Sequence, residues 1–376
     1  MNKYVIVLPA TIFLMDVALS SWYMVLPIYL ESLGATLIDI GVCYALINVA
    51  WYGLQVPGGF FADRIGRKTT IILSTLAFCV CYMVLSVVST LLLAILAIIF
   101  MWVFSGLQAP SIFSVMAESV VEKERPIAFA IYSFFMNLGW SIGPLVGALI
   151  IPFYGYKILF VLGVIISGSC LVIRFLFIQE TLKKLSKKKQ EISTKINKDL
   201  AYLLAGCSLF SLAYGLVSPI IPIHAEKCLM MSISEIEIMF SIAQFATSIL
   251  SLACGPFVKK VGGQYGLMMA FLGSGFSITM WAYSPSVYIA ITLMIFFSIF
   301  FYALYDISYG TLISSLTTLE TRATTFGTFS LMSGLMSALG SIAGPIIFAS
   351  LPIATFVLTT TLTVPSTLFV LKIKTN

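Results

Sequence analysis

Twelve long apolar runs decide what this 376-residue chain can fold into. They lie near residues 4–30, 37–62, 69–89, 91–117, 126–150 and 154–178, and again near 200–224, 233–258, 264–283, 286–312, 323–349 and 351–371. A helix needs about 20 apolar residues to cross a hydrocarbon core of about 30 Å. In lipid a backbone must satisfy its own polar groups, which leaves helices and closed barrels. These runs are too long for barrel strands, and they do not alternate in polarity. Only 10% of the residues are charged, against about 25% in a soluble domain. The predicted fold class is an all-α integral membrane protein of twelve transmembrane helices. The first run continues past Asp16 to about Leu30, which suits a helix kept in the membrane better than a cleaved signal peptide.

Placement of the bases predicts orientation. With the N-terminus inside, the cytoplasmic side receives Lys3; Arg64, Arg67 and Lys68; Lys123 and Arg125; Arg174; Lys183, Lys184, Lys187, Lys188, Lys189, Lys195 and Lys198; Lys259 and Lys260; Arg322; Lys372 and Lys374. The outer side receives Lys157 and Lys227. A split of 19 to 2 is a positive-inside signal and puts both termini in the cytoplasm of a cell with this protein in its plasma membrane.

The halves repeat. Leu26-Pro27-Ile28 returns as Ile221-Pro222-Ile223 after 195 positions. Gly59, Asp63, Arg64 and Gly66 return after 196 positions as Gly255, Lys259, Lys260 and Gly262. Gly139-x3-Gly143-Pro144 returns after 201 positions as Gly340-x3-Gly344-Pro345. A parallel duplication of six helices follows, with two pseudo-symmetric bundles at 1–178 and 199–376 and a cytoplasmic linker at 179–198.

After the second run the chain reads Gly58-Gly59-Phe60-Phe61-Ala62-Asp63-Arg64-Ile65-Gly66-Arg67-Lys68. This resembles the signature of the major facilitator superfamily, G-x3-D-R-x-G-R-[KR], and with the twelve spans the resemblance covers the whole chain. Gly59 allows close helix approach, Gly66 a tight turn, and Asp63 suits a helix N-terminus. The resemblance implies that Asp63 braces the contact between helices 2 and 11, and that Arg67 pairs with Glu118 and Glu180. The alternative is that these charges only set topology. Two departures stand out: Lys259 replaces the acid in the second copy, and Trp102 stands where many proton-coupled relatives carry an arginine before Gly106. Helix 5, with Gly139, Gly143, Pro144 and Gly147, resembles the antiporter-associated motif, although Ala130 and Ala148 replace two of its glycines. Ordinary close packing explains the same residues.

Two acids lie away from span ends. Asp16 is about 16 Å into the first helix, and Asp306 sits in the inner part of the tenth. No Lys or Arg is expected at comparable depth. An unpaired carboxylate in lipid costs at least ~2.5 kcal/mol, so such groups usually face a cavity and work there. Low dielectric favours a carboxyl's neutral form and a nearby cation the ionised one, which links proton release to cation binding. A buried acid held by neighbouring helices is the structural alternative. Polar stripes accompany both: Asp16, Ser20, Tyr23 and Pro27; Tyr302, Asp306 and Tyr309; Ser105, Gln108 and Ser111; Ser211, Tyr214 and Ser218. They fall on helices 1, 10, 4 and 7, which line the cavity in the family that the chain resembles. Asn48, Gln55, Asn137 and Gln244 read as interhelical glue, Tyr4, Tyr154 and Tyr288 as interfacial anchors, and His224 as a surface residue.

The resemblance implies a secondary transporter working by alternating access. The acidic stripes favour proton-coupled efflux of small cationic or amphipathic compounds. The alternatives are a proton-coupled uptake symporter for a sugar, organic acid or other metabolite, and a transporter-like sensor or lipid-handling protein. No nucleophile–base pair, metal cluster or phosphate loop points to an enzyme. Seven cysteines in apolar runs read as packing rather than as disulfides. The expected partners are a small-molecule substrate and the bilayer, with no nucleic acid, for a monomer whose coupling ion is the proton and which has no cofactor.

Overall fold

The computed structural model describes residues 4–121, 125–181, 197–317 and 319–374, with side chains except at 4–5, 125–127 and 319–324. Lys3, Lys123, Lys183, Lys184, Lys187, Lys188, Lys189 and Lys195, with the side chains of Tyr4, Arg125 and Arg322, lie outside the described residues.

Every predicted span is helical, with ends within about four residues of those expected. The helices are α1 (Tyr4–Tyr23), α2 (Leu26–Ser32), α3 (Leu37–Gly53), α4 (Gln55–Ile65), α5 (Arg67–Val87), α6 (Leu91–Glu118), α7 (Arg125–Tyr154) and α8 (Tyr156–Phe177). They continue as α9 (Lys198–Val217), α10 (Ile221–Lys227), α11 (Ile233–Val261), α12 (Gly263–Ala282), α13 (Val287–Ser298), a π-helical stretch Ile299–Leu304, α14 (Tyr305–Leu316), α15 (Leu319–Ser350) and α16 (Pro352–Leu371). Proline breaks two spans. Pro27 and Pro222 open the short helices α2 and α10 rather than closing the spans, because proline is tolerated in a first turn but removes a donor inside a helix. The second span bends by 46° between α3 and α4.

Among the described residues, ten helical stretches are long and apolar enough to cross a membrane, or eleven with the bent pair α3 and α4. The twelfth segment, α12, has the length but is not among them. Its small and polar residues fill helix contacts instead: Gly273 faces the Phe300 ring, and Thr279 hydrogen-bonds the Phe356 carbonyl at 2.7 Å and the Thr360 hydroxyl at 2.5 Å. Small residues and hydroxyls hold helices together where lipid supplies no hydrophobic drive. Polarity is turned outward-in elsewhere too. Val87, Leu149, Phe153 and Leu252 are 71–79% exposed, while Ser74, Thr75, Ser111 and Ser341 are buried. Such an apolar exterior suits lipid and not water.

Two compact units result: Met1–Ala35, Val49–Lys188 and Ile233–Ser241 form the first, and Thr36–Asn48, Lys189–Ser232 and Ile242–Asn376 the second. The first has a core of Leu8, Ile12, Ile71, Ile112, Val115 and Met116. The second centres on Leu203, Cys207, Phe210, Phe271, Leu312 and Phe329.

The sequence repeat has a counterpart inside each unit. Gly66 at φ +103° and Gly262 at φ +91° turn the chain into α5 and α12, a conformation that costs glycine little. A Cβ on Gly139 or Gly143 of α7 would strike the α1 backbone at Phe13, Val17 and Ser21. A Cβ on Gly340 or Gly344 of α15 would strike the α9 backbone at Leu212 and Leu216. The motif glycines are thus the seams on which α7 lies against α1 and α15 against α9.

Candidate functional site

The signature loop closes on itself within the first unit. Glu180, beyond the end of α8, accepts from the backbone N–H groups of Arg67 at 3.0 Å and Lys68 at 3.2 Å, so it caps the start of α5. Free N–H groups and the helix dipole make that end a seat for an anion. A Cβ at Gly66 would strike the same carboxylate. The Arg67 guanidinium meets Glu118 at 3.1 Å and Asp63 at 3.6 Å. The expected Arg67–Glu118 pair is present, and the Glu180 contact that the structure shows is with backbone. Lys68 donates to the Phe175 carbonyl at 2.8 Å and lies over the Phe175 ring. Arg64 occupies the last turn of α4. The close approach expected of Gly59 belongs to Gly58, whose Cβ would strike Leu107 of α6.

Asp16 faces the α7 seam. Ser20 donates to the Asp16 carbonyl at 2.7 Å and to the Gly139 carbonyl at 3.1 Å. The Asp16 carboxyl is partly buried, and its Oδ2 has no hydrogen-bond partner. Tyr23 stands two turns further along the same face of α1, about 10 Å away. It lies 5.2 Å from Trp102 and 5.9 Å from Trp140 between ring centroids, and Trp102 lies 5.7 Å from Trp51. Trp102, standing where the family pattern has a cation, instead adds a π face to this group. On α6, Gln108 and Ser111 are buried, with Gln108 Oε1 and Ser111 Oγ unpartnered.

Second-unit candidates are split by the π-helical stretch, which the 3.6-residue spacing could not foresee. Tyr302 lies within it and meets the Tyr214 hydroxyl at 3.3 Å. Asp306 follows it and is exposed. Tyr309 stacks on Tyr305 with centroids 5.6 Å apart, and both pack against the apolar core. A π-turn beside a functional residue is a common arrangement.

Three charged or titratable groups differ from expectation. Arg174, counted with the loop bases, is 1% exposed and donates to Thr11 at 3.0 Å and Thr75 at 2.7 Å. Thr11 is about 7.5 Å along α1 from Asp16, so a base does lie near that depth, and the positive-inside split falls to 18 against 2. His224 is buried, not at the surface: its ring hydrogen-bonds the Ala282 carbonyl at 2.9 Å among Trp281, Phe348 and Phe356. Glu237, near the start of its span, is 0% exposed. Its signal was legible in the spacing of Ser234, Glu237 and Ser241. Asn48 does act as glue, bonding Tyr44 and Ser341, and Tyr154 and Tyr288 are exposed.

Comparison with known proteins agrees with this architecture. The family model of the Major Facilitator Superfamily matches residues 10–204 and 202–375. An MFS-type transporter of Methanocaldococcus jannaschii is 24% identical over 246 residues, 63% of this chain and 64% of that protein. The quinolone resistance protein NorA of Staphylococcus aureus is 26% identical over 222 residues, 57% of this chain and 56% of NorA. The chain thus spans less than two thirds of the length of these relatives. Among solved structures, a nucleoside transporter NupG variant superposes with a TM-score of 0.85 at 15% identity, covering 99% of this chain and 100% of that one. A POT family transporter with bound 5-aminolevulinic acid gives 0.84 at 15%, covering 99% and 96%. These structures share the fold. With both halves matched by the family model and the fold in common, this multi-pass membrane protein belongs to the Major Facilitator Superfamily.

Proposed function

We propose that the chain is a proton-coupled secondary transporter that exports small cationic or amphipathic organic compounds by alternating access. The observation that carries this reading is Asp16, a partly buried carboxyl with an unpartnered oxygen, on the same helix face as the aromatic group of Tyr23, Trp51, Trp102 and Trp140. Aromatic faces attract an organic cation by about 0.5–2 kcal/mol. A carboxylate adds charge, and a proton on that carboxylate competes with the cation. Arg174 is enclosed by its threonine partners and so offers no open anion site. NorA, a partial relative, is a quinolone resistance protein, which fits export.

The test is a transport assay on proteoliposomes with a planar aromatic cation and an imposed pH gradient. An exchanger accumulates the cation when the interior is acidic. Accumulation only with an acidic exterior would overturn export in favour of symport. The charge asymmetry supports cytoplasmic termini in a plasma membrane. A cysteine placed beside Lys188 then reacts only with reagent supplied from the cytoplasm, and labelling of intact cells from outside contradicts that topology.

The signature loop supports a gating role for Asp63. Asp63 shares Arg67 with Glu118 and is 63% exposed. An exposed pair of this spacing is worth at most about 0.5 kcal/mol. Asp63→Asn is therefore expected to leave yield and melting temperature unchanged while slowing transport. Parental turnover at equal expression would reduce the loop to a topology signal.

A further inference from the structure

Glu237 is a buried acid that the transport reading leaves unused. It stands in the second turn of α11, 0% exposed, and neither carboxyl oxygen has a hydrogen-bond partner. Ser234 donates to the Ala148 carbonyl at 2.8 Å, and Ser241 donates to the Ser141 carbonyl at 2.6 Å. Residues 234, 237 and 241 share one helix face, and that face lies on α7. The missing side chain of Gly147 makes the seat: a Cβ there would lie 2.9 Å from Glu237 Oε1 and would strike the Ser21 carbonyl oxygen. Glu237 is thus enclosed by α7 and α1 within the first unit, with a carbonyl at the rim of its seat.

No base of these helices can neutralise it. The base of α7, Arg125, and the nearer base of α11, Lys259, each stand 22 residues from the seat, about 33 Å along a helix. The remaining titratable groups are Tyr4, Asp16 and Tyr23 on α1, Tyr132 and Tyr154 on α7, and Glu235 and Cys254 on α11. An ionised carboxylate offers only acceptors to the carbonyl beside it, whereas a neutral carboxyl has a proton to donate. The seat therefore matches the neutral form.

The repeat adds an independent observation. At the offset of 196 that relates Gly59 to Gly255, Glu237 corresponds to Gly41. In the second unit, a Cβ on Gly41 would lie 2.5 Å from the Ser341 carbonyl oxygen and 2.9 Å from the Pro345 ring. Close packing at this place is met by a glycine in one repeat, so packing does not call for an acid in the other.

We propose that Glu237 is a second proton-carrying residue, and that Ile233–Ser241 docks on α1 and α7 when Glu237 is protonated and leaves when its proton passes to water. Proton release and segment movement then form one step of the cycle. The inference rests on the transport reading, yet its test needs no substrate. Spin labels at Phe153→Cys, an exposed site, and Ile238→Cys, a partly exposed one, both within the first unit, are placed in the full chain with Cys228→Ser, in lipid nanodiscs. Distances are measured at mildly acidic and mildly alkaline pH. The expected result is a short distance in acid that shifts to a longer one in alkali, and a short distance at both pH values in Glu237→Gln. Glu237→Ala, which also lacks the charge, is expected to be equally insensitive to pH, and Asp16→Asn to keep the parental shift. A parent whose distances ignore pH overturns the proposal, as does a shift that persists in Glu237→Gln. Loss of the shift in Asp16→Asn with retention in Glu237→Gln would assign the switch to Asp16. Failure of uphill transport in the parent is a separate result that bears on the transport reading alone.

Discussion

Asp16→Asn, reconstituted at equal density, is expected to lose accumulation of a cationic substrate against its gradient. Asparagine keeps the size and polarity of the side chain but neither ionises nor carries a proton. The Asp16 Oδ2 has no partner to lose, and Ser20 bonds the Asp16 main-chain carbonyl rather than its carboxyl. The fold should therefore survive. Substrate-for-substrate exchange should also survive, because that cycle moves no net proton. Removing a charge in low dielectric should weaken binding of a cation by about tenfold or more, or about 1.4 kcal/mol. The pH dependence of binding should disappear with it. Asp306→Asn, at an exposed carboxyl nearer the end of its span, should show a smaller defect. Uphill transport at the parental rate in Asp16→Asn would return Asp16 to a structural role. A defect confined to yield would do the same.

Gly344→Leu is expected to remove most folded protein. A Cβ at this position strikes the Leu216 carbonyl oxygen and lies 2.7 Å from its carbonyl carbon and 2.9 Å from its Cα. All three are backbone atoms of α9, so no side chain can turn aside. Overpacking a tight contact costs about 1–3 kcal/mol and sometimes more, and leucine adds a whole side chain to the clash. The control is Gly310→Leu on α14, where nothing lies within 4 Å of a built Cβ. That variant should match or exceed parental stability, since leucine favours a helix over glycine by roughly 0.5–1 kcal/mol. Monodisperse yield and melting temperature in detergent read both. Equal stability of the two variants would mean that the α15–α9 seam is looser than its geometry shows.

The spans were legible because lipid imposes a simple rule: a run long enough and apolar enough to cross must form a helix. The repeat was legible because glycine and proline act through the backbone, and the same backbone turns recur at Gly66 and Gly262 and at Pro27 and Pro222. The partnership of Arg67 with Glu118 followed from the family pattern and is present at 3.1 Å. Among the cavity candidates, the stripe on α1 was readable because that helix is regular through Asp16 and Tyr23. The stripe through Tyr302 was misread, since one π-helical turn shifts every later side chain around the axis.

Length and polarity along the chain thus determined the class, the spans and the seams by themselves, because each depends on local composition or on backbone freedom. Tertiary structure decided which charges are enclosed. Arg174 and Glu237 stand near span ends, where a sequence reading assigns them to water. Threonines on α1 and α5 enclose the first, and a glycine seat on α7 encloses the second. Burial depends on which neighbours arrive from distant segments, and no local pattern carries that information.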